Sequence, residues 1–384
     1  MSASAGLEAP VRLALRDRFR SWREGLTASA GFRRWAARFP LTRPFARRRA
    51  RALFDLCAGF VYSQVLLAAV RLDLFERLRH GPVDQRVLAA QMDLSPEAAE
   101  RLLRAAASLD LVARRQDGRW ALGKLGAAMI DNPGIPAMVE HHAMLYADLA
   151  DPVAMLRRPR GGNALSGYWA YTGADAPGAL GRDRTAEYSA LMAASQPMVA
   201  DEVIAAHDFR AHRCLLDIGG GSGAFLAAVA AASPKLRLML FDLPPVAELG
   251  AERFQRLGLA GRASTHGGDF TKDPLPQGGD LISLVRVLHD HDDDVVMALL
   301  HRVRQALPPG GRVLIAEPMS GTTGAEPAGD AYFGFYLLAM GRGRPRHPDE
   351  LASMLVAAGF TRPRLLPTHT PLLARVLVAD VIPA

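Results

Sequence analysis

The sequence predicts an α/β protein, in which a mostly parallel sheet with an antiparallel last strand follows a smaller α-helical module. Three observations carry this prediction. From Arg213 onward, short apolar runs alternate with helical stretches, the pattern of a parallel sheet covered on both faces. A glycine-rich turn, Asp217-Ile218-Gly219-Gly220-Gly221-Ser222-Gly223, joins the first of these runs to a helix. Before residue 132 the order is helix, helix and a short hairpin with Asp117-Gly118 at its turn. At 384 residues the chain is long enough for two domains and a sizeable core.

Residues 1–51 read as a separate basic arm. They hold 13 of the 46 basic residues and three of the 39 acidic ones, leaving 33 basic and 36 acidic over residues 52–384. The net charge of +7 therefore hides a strongly basic arm on a slightly acidic body. Phe19, Trp22, Phe32, Trp35, Phe39 and Phe45 stand among the arginines, and Pro40 and Pro44 interrupt them. Arginine with aromatic rings on short helices suits a lipid headgroup boundary. A solvated tail or an arm wrapped on a second copy would have the same composition. The longest apolar stretch, Leu56–Val70, is shorter than the roughly 20 residues of a spanning helix. A surface contact with a membrane is therefore expected, and neither a crossing nor a signal peptide is. Two cysteines, Cys57 and Cys214, exclude a disulfide framework and a cysteine-rich zinc site, and suit a reducing cytoplasm.

Residues 52–132 begin with a long apolar helical region over 52–80, then helices near Val87–Met92 and Ser95–Ser108. Ser95-Pro96-Glu97 is a helix start, with a capping serine followed by proline at the first helical position. With the Arg114–Leu122 hairpin this makes a winged-helix pattern, a module that serves either DNA binding or dimerisation. Residues 133–210 are helical and rich in Met, His and aromatic residues. They include His142, Tyr146, Tyr168, Trp169, Tyr171, Tyr188 and Met192, candidates with Phe333 and Met340 for an apolar substrate pocket. From residue 211 the expected strands are Cys214–Ile218, Leu236–Phe241, Leu281–Leu288 and Arg312–Ala316, then Arg362–Pro367 and Leu373–Val381. The last two are joined too tightly for a helical crossover, so the final strand should run antiparallel.

The glycine loop, with Gly219, Gly221 and Gly223, lets the backbone approach a ligand closely. Taken alone it also satisfies a loose dinucleotide pattern. Two acids after later strands sharpen the reading. Asp242, in Phe241-Asp242-Leu243-Pro244, stands where a carboxylate binds both hydroxyls of a ribose. Asp269, followed by Phe270, stands where an acid and a ring can hold an adenine. Asp217 opens the loop, where a carboxylate can meet an amino-acid group. Together they point to S-adenosyl-L-methionine (SAM) in a Rossmann-like methyltransferase domain.

These residues, read with His289-Asp290-His291-Asp292-Asp293, resemble the O-methyltransferases that include the plant phenolic enzymes. The resemblance covers residues 52–384 and implies a winged-helix dimerisation domain, hence a homodimer. It implies that His289 is the general base, that Asp290 supports it and that Glu317 flanks it. It also places Arg286 near a basic cofactor contact. One departure stands out. The plant members carry a second flanking glutamate in a G-K-E-R-T segment, whereas Gly343-Arg344-Pro345-Arg346-His347 has proline at that place. Segments such as Phe54–Val61, Ser63–Leu67 and Tyr146–Val153, with the arm, are closer to the bacterial carotenoid 1-O-methyltransferases of purple phototrophs. That resemblance implies an acyclic hydroxycarotenoid as acceptor, methylated at a tertiary hydroxyl, and a place at the inner membrane surface.

Two other readings compete. One is a SAM methyltransferase for a phenol, a polyketide or a bacteriochlorophyll ring. The other is a SAM-sensing, DNA-binding regulator. The mixed charge of residues 52–132 is unlike a phosphate-binding face, so no nucleic-acid partner is expected. The acidic run after His289 resembles a metal site in composition, but Asp292 and Asp293 fit better as helix caps, and no metal is expected.

Overall fold

The computed structural model describes residues 15–157, 162–168 and 182–382, the side chains of 15, 16, 168 and 182–191 excepted. The chain divides into two compact units, Met1–Gly123 and Lys124–Ala384.

In the first unit, helices Leu15–Ala28 and Ala30–Arg38 lead into the long helix Arg43–Arg71. Ser29 caps the second helix by accepting from the Phe32 N–H. The expected helical region over 52–80 is thus one helix that starts earlier, followed by a single turn at Leu74–Arg77. Helices Gln85–Gln91 and Pro96–Ser108 follow, capped by the side chains of Asp84 and Ser95. Strands β1 (Val112–Arg114) and β2 (Trp120–Leu122) form the antiparallel wing, with Gly118 left-handed at its turn. Helix Arg43–Arg71 carries a long apolar stretch of which only 11% is buried. By length and composition it is apolar enough to cross a membrane, which the shorter stretch Leu56–Val70 did not suggest. Leu53, Leu56 and Phe60 recur on one helical face and stand exposed at 64%, 81% and 67%. An apolar face of this kind needs a cover.

The second unit is built on a seven-stranded sheet. Its strands are β3 (Cys214–Ile218), β4 (Arg237–Asp242), β5 (Ala263–Gly267), β6 (Leu281–Val285), β7 (Arg312–Glu317), β8 (Arg364–Leu366) and β9 (Arg375–Asp380). The order is β5-β4-β3-β6-β7-β9-β8. All pairings are parallel except those of β9, which runs antiparallel to both neighbours, as expected. β3 and β6 are buried at every residue, because helices cover both faces. Ala224–Ala232 and Pro244–Arg256 are among the helices connecting the first strands, and Asp293–Ala306 follows β6.

The strand order reverses between β3 and β6, and crevices at such reversals are where open α/β sheets bind ligands. One boundary differs from expectation in a way that matters. β6 ends at Val285 rather than at Leu288. Arg286 takes a left-handed backbone (φ 59°), unusual for a residue with a Cβ. This breaks the ladder and turns the chain into a tight helical turn, Leu288–Asp290.

Candidate active site

Three strand ends build the cofactor side of the crevice. Asp217, next to last in β3, is fully buried and pairs in register with Ser283 of β6. The Ser283 hydroxyl donates to Asp217 Oδ1 at 2.6 Å, while Oδ2 is buried with no hydrogen bond. Burial, with smaller help from Asp242, pushes the Asp217 carboxyl up to about 7. Gly221 is left-handed (φ 59°), with open space where a Cβ would stand, and its N–H donates to Asp242 Oδ2 at 2.7 Å. Gly223, also left-handed (φ 74°), opens helix Ala224–Ala232, and a Cβ there would meet the Phe254 ring at 2.8 Å. Gly219 turns the chain as its N–H donates to the Phe241 carbonyl at 2.8 Å. Asp242 closes β4, with its other oxygen held by the Leu243 N–H. Burial raises its carboxyl to about 6 against these two hydrogen bonds.

Asp269 follows β5. Its Oδ1 accepts from the Thr271 N–H and hydroxyl, and its Oδ2 is buried without a hydrogen bond, 3.6 Å from the Lys272 ammonium. Burial pushes its carboxyl up, but Thr271 and Lys272 outweigh this and hold it below the ordinary value. Phe270 meets His291 edge-on at 5.2 Å. The orphaned Asp217 oxygen and the open left-handed loop suit a ligand bearing an ammonium and a ribose, so the residues fit SAM.

His289 lies on the turn after β6, buried between two carboxylates. Glu317 closes β7, and its Oε2 accepts from the His289 backbone N–H at 3.1 Å and faces ring Nδ1 at 3.2 Å. Nδ1 therefore carries the proton in the neutral ring. Asp290 Oδ1 lies 3.1 Å from Nε2, a close ionic contact without hydrogen-bond alignment. Burial lowers the His289 pKa, but Asp290 first and Glu317 second outweigh it, so His289 is raised above its ordinary value. Asp290 is raised as well, chiefly by burial. The two carboxylates touching the ring are thus Glu317 and Asp290. Pro345 carries no carboxylate, and Asp290, next to His289 in the sequence, supplies the second carboxylate beside the ring.

A cavity opens beside His289 and Asp290, lined also by Met138, Met192, Arg286, Tyr332, Phe333 and Tyr336. The Arg286 guanidinium donates to Ser195 Oγ at 2.8 Å and contacts Met192 Sδ at 3.2 Å, so it borders this cavity. Met192 and Phe333 were expected in the pocket, and Phe333 meets His289 edge-on at 5.9 Å. His142 stands one layer behind, its Nε2 2.8 Å from the Tyr332 hydroxyl. Two of the expected pocket residues lie away from this cavity. Met340 is buried in the cluster of Leu145, Met155 and Leu165, because the helix Gly334–Met340 turns that face inward. Tyr146 is exposed on helix Gly134–Asp148 and does not line the cavity. Tyr168 and Tyr188 have side chains outside the described residues, as do Trp169 and Tyr171 altogether.

Tyr332, Tyr336 and Met138 are additions. A wide, π-type turn of helix, Pro327–Phe333, carries Tyr332 and leads into the helix of Tyr336. The aromatic spacing 332, 333, 336 was the available signal. The helix-cap assignment is also revised. Asp292 occupies the cap position of Asp293–Ala306 without capping it, and its carboxylate accepts from the Gly343 N–H at 3.1 Å.

Three strand-end acids around a glycine loop, beside a histidine gripped by carboxylates, define a methyltransferase site. A family model described as an O-methyltransferase domain matches residues 146–361, and one for the O-methyltransferase dimerisation domain matches 54–132. The chain belongs to this O-methyltransferase family. It is 47% identical to the demethylspheroidene O-methyltransferase of Cereibacter sphaeroides, over 92% of this chain and 93% of that one. It is 44% identical to the Rhodobacter capsulatus protein of the same name, over 89% and 85%. Among solved structures it is similar to CalO1, a methyltransferase in calicheamicin biosynthesis in its SAH-bound form (TM-score 0.72, 28% identity, 88% of this chain and 98% of that one). It is also similar to human N-acetylserotonin methyltransferase in complex with SAM (TM-score 0.71, 25% identity, 87% and 98%). The chain is therefore a SAM-dependent O-methyltransferase, and its dimerisation domain supports a homodimer.

Proposed function

We propose that the acceptor is an acyclic hydroxycarotenoid, methylated at its C-1 tertiary hydroxyl. The observation that carries this is the close likeness to two demethylspheroidene O-methyltransferases, which extends over about nine-tenths of the chain. The side chains lining the small cavity beside His289 agree with it in chemistry. Its wall is largely aromatic and thioether, and two tyrosine hydroxyls are occupied by histidines: Tyr336 with His141 at 2.7 Å and Tyr332 with His142. Rings whose polar ends are already bonded suit a polyene better than a polyphenol.

In this reading Asp217, Asp242, Asp269, Phe270 and the Gly219–Gly223 loop hold SAM, with Arg286 at the border of the two sites. SAM supplies an electrophilic methyl on a sulfonium. That methyl would pass to the acceptor oxygen as its carbon–sulfur bond breaks and the thioether leaves, and His289 Nε2 would take the hydroxyl proton. Glu317 fixes the tautomer, and Asp290 stabilises the imidazolium formed. A tertiary alcohol is far less acidic than a phenol, so its proton leaves late. Alignment and exclusion of water then carry most of the acceleration. The working division is an arm (1–51), a dimerisation module (52–132), a pocket segment (133–210) and a cofactor domain (211–384).

The arm is assigned to the surface of an anionic membrane, where such a substrate resides. Phe19, Trp22, Trp35 and Phe45 are exposed among its arginines, and Trp35 stacks on Phe39 at 5.0 Å. DNA is a poorer partner, since Arg104 of the helix Pro96–Ser108 lies 3.5 Å from Glu100. The test is methyl transfer from labelled SAM to a hydroxylated acyclic carotenoid in detergent, with caffeate in parallel. Label in the carotenoid supports the reading. Label in caffeate alone overturns the acceptor and leaves the methyltransferase.

A further inference from the structure

Arg346 is the largest side chain fully buried among the described residues. A buried guanidinium is tolerated only when its donors are met. Here Nη1 donates to the Leu288 carbonyl at 2.8 Å and Nη2 to the His291 carbonyl at 2.7 Å. Nε and Nη2 also donate to Asp293 Oδ1, at 2.9 and 2.7 Å. Leu288 and His291 are the two ends of the turn that carries His289. One planar fork thus ties both ends of that turn to the first residue of the following helix.

The neighbours of Arg346 grip the same turn. The Arg344 N–H donates to the His289 carbonyl at 2.9 Å, and the Arg344 side chain bridges Asp293 and Glu350. Gly343 is left-handed (φ 73°), and a Cβ there would collide with the His289 carbonyl. The segment in which the family pattern lost its glutamate is therefore bound to the backbone of the candidate base.

We propose that Arg346 is a positioning residue for His289, holding the turn so that the ring stays between Glu317 and Asp290. This rests on the reading of His289 as the base. Arg346 touches neither the ring nor the cavity and acts through carbonyl oxygens. Both ring contacts lie at 3.1–3.2 Å, so a shift of the turn by a fraction of that distance loses them. Lysine cannot replace the fork, because an ammonium cannot span two carbonyls and a carboxylate in one plane.

The test uses full-length Arg346→Lys, with Asp293→Ala as a second variant that removes a partner of Arg346. The acceptor is whichever of the hydroxylated carotenoid or caffeate takes label. For Arg346→Lys, kcat should fall about tenfold, less than for His289→Ala, while KM for SAM and acceptor stays near wild type. The ionisation governing kcat should move down, because the ring loses the carboxylates that raise it. Asp293→Ala should show the same changes, about threefold in kcat. A folded variant with lowered melting temperature but wild-type kcat and pH profile overturns the proposal. If Arg346→Lys does not fold, an unchanged profile in Asp293→Ala does so alone. His289→Ala is run alongside, and wild-type turnover there would remove the base itself rather than its positioning.

Discussion

The ionisation of His289 has a sign that can be measured. Burial opposes the charged ring, but Asp290 and Glu317 outweigh it and raise the pKa above 6.5. A base must be neutral to accept a proton, so activity should be lost as pH falls through that raised value. The kcat profile should therefore rise with pH through an inflection above 6.5, and a flat profile or a lower inflection would contradict the assignment. General-base removal costs typically 10²–10⁴-fold. With a late proton from a tertiary alcohol, His289→Ala should sit near the lower end of that range. Asp217 gives a second test. Its orphaned oxygen is assigned to the cofactor ammonium, so Asp217→Asn should weaken SAM binding about 10–100-fold by calorimetry, the scale of a hydrogen bond to a charged group. Unchanged affinity would remove Asp217 from the cofactor site.

At the scale of elements, the path of the chain after β6 decides the chemistry. Had the strand run to Leu288, alternate side chains would have faced opposite sides of the sheet. The left-handed turn at Arg286 instead bends the chain into the crevice and brings His289 beside Glu317 at the end of β7. This kink was invisible in the sequence, because Leu281–Leu288 reads as one apolar run. The acids at strand ends were legible, because each closes or follows an apolar run, and so was the antiparallel last strand, from its short link. The acceptor wall was not. It depends on the π-type turn at Pro327–Phe333 and on packing between helices distant in sequence, which no local pattern encodes. The arm makes its own prediction. Anionic vesicles should bind the full chain in a salt-sensitive way, and Trp22→Ala with Trp35→Ala and Phe45→Ala should weaken that binding at least tenfold, at about 1.5–3 kcal/mol per fully buried ring. Equal binding by the triple variant would detach the arm from the membrane.

The whole molecule joins two requirements that a lipid-borne alcohol imposes. The cofactor must sit in a dry crevice, and the sheet reversal between β3 and β6 provides one, with the candidate base at its far strand. On the proposed reading the substrate leaves a bilayer, and the basic, aromatic arm lies in the unit that also carries most of the dimerisation domain. The exposed face of helix Arg43–Arg71, at Leu53, Leu56 and Phe60, fits a second copy as its cover. The measurement that tests the account most directly is turnover in one preparation of anionic vesicles holding a hydroxylated acyclic carotenoid, with caffeate in the buffer and labelled SAM added. The account predicts label in the carotenoid, as a methoxy group on the tertiary carbon by mass spectrometry. Label confined to caffeate would contradict it.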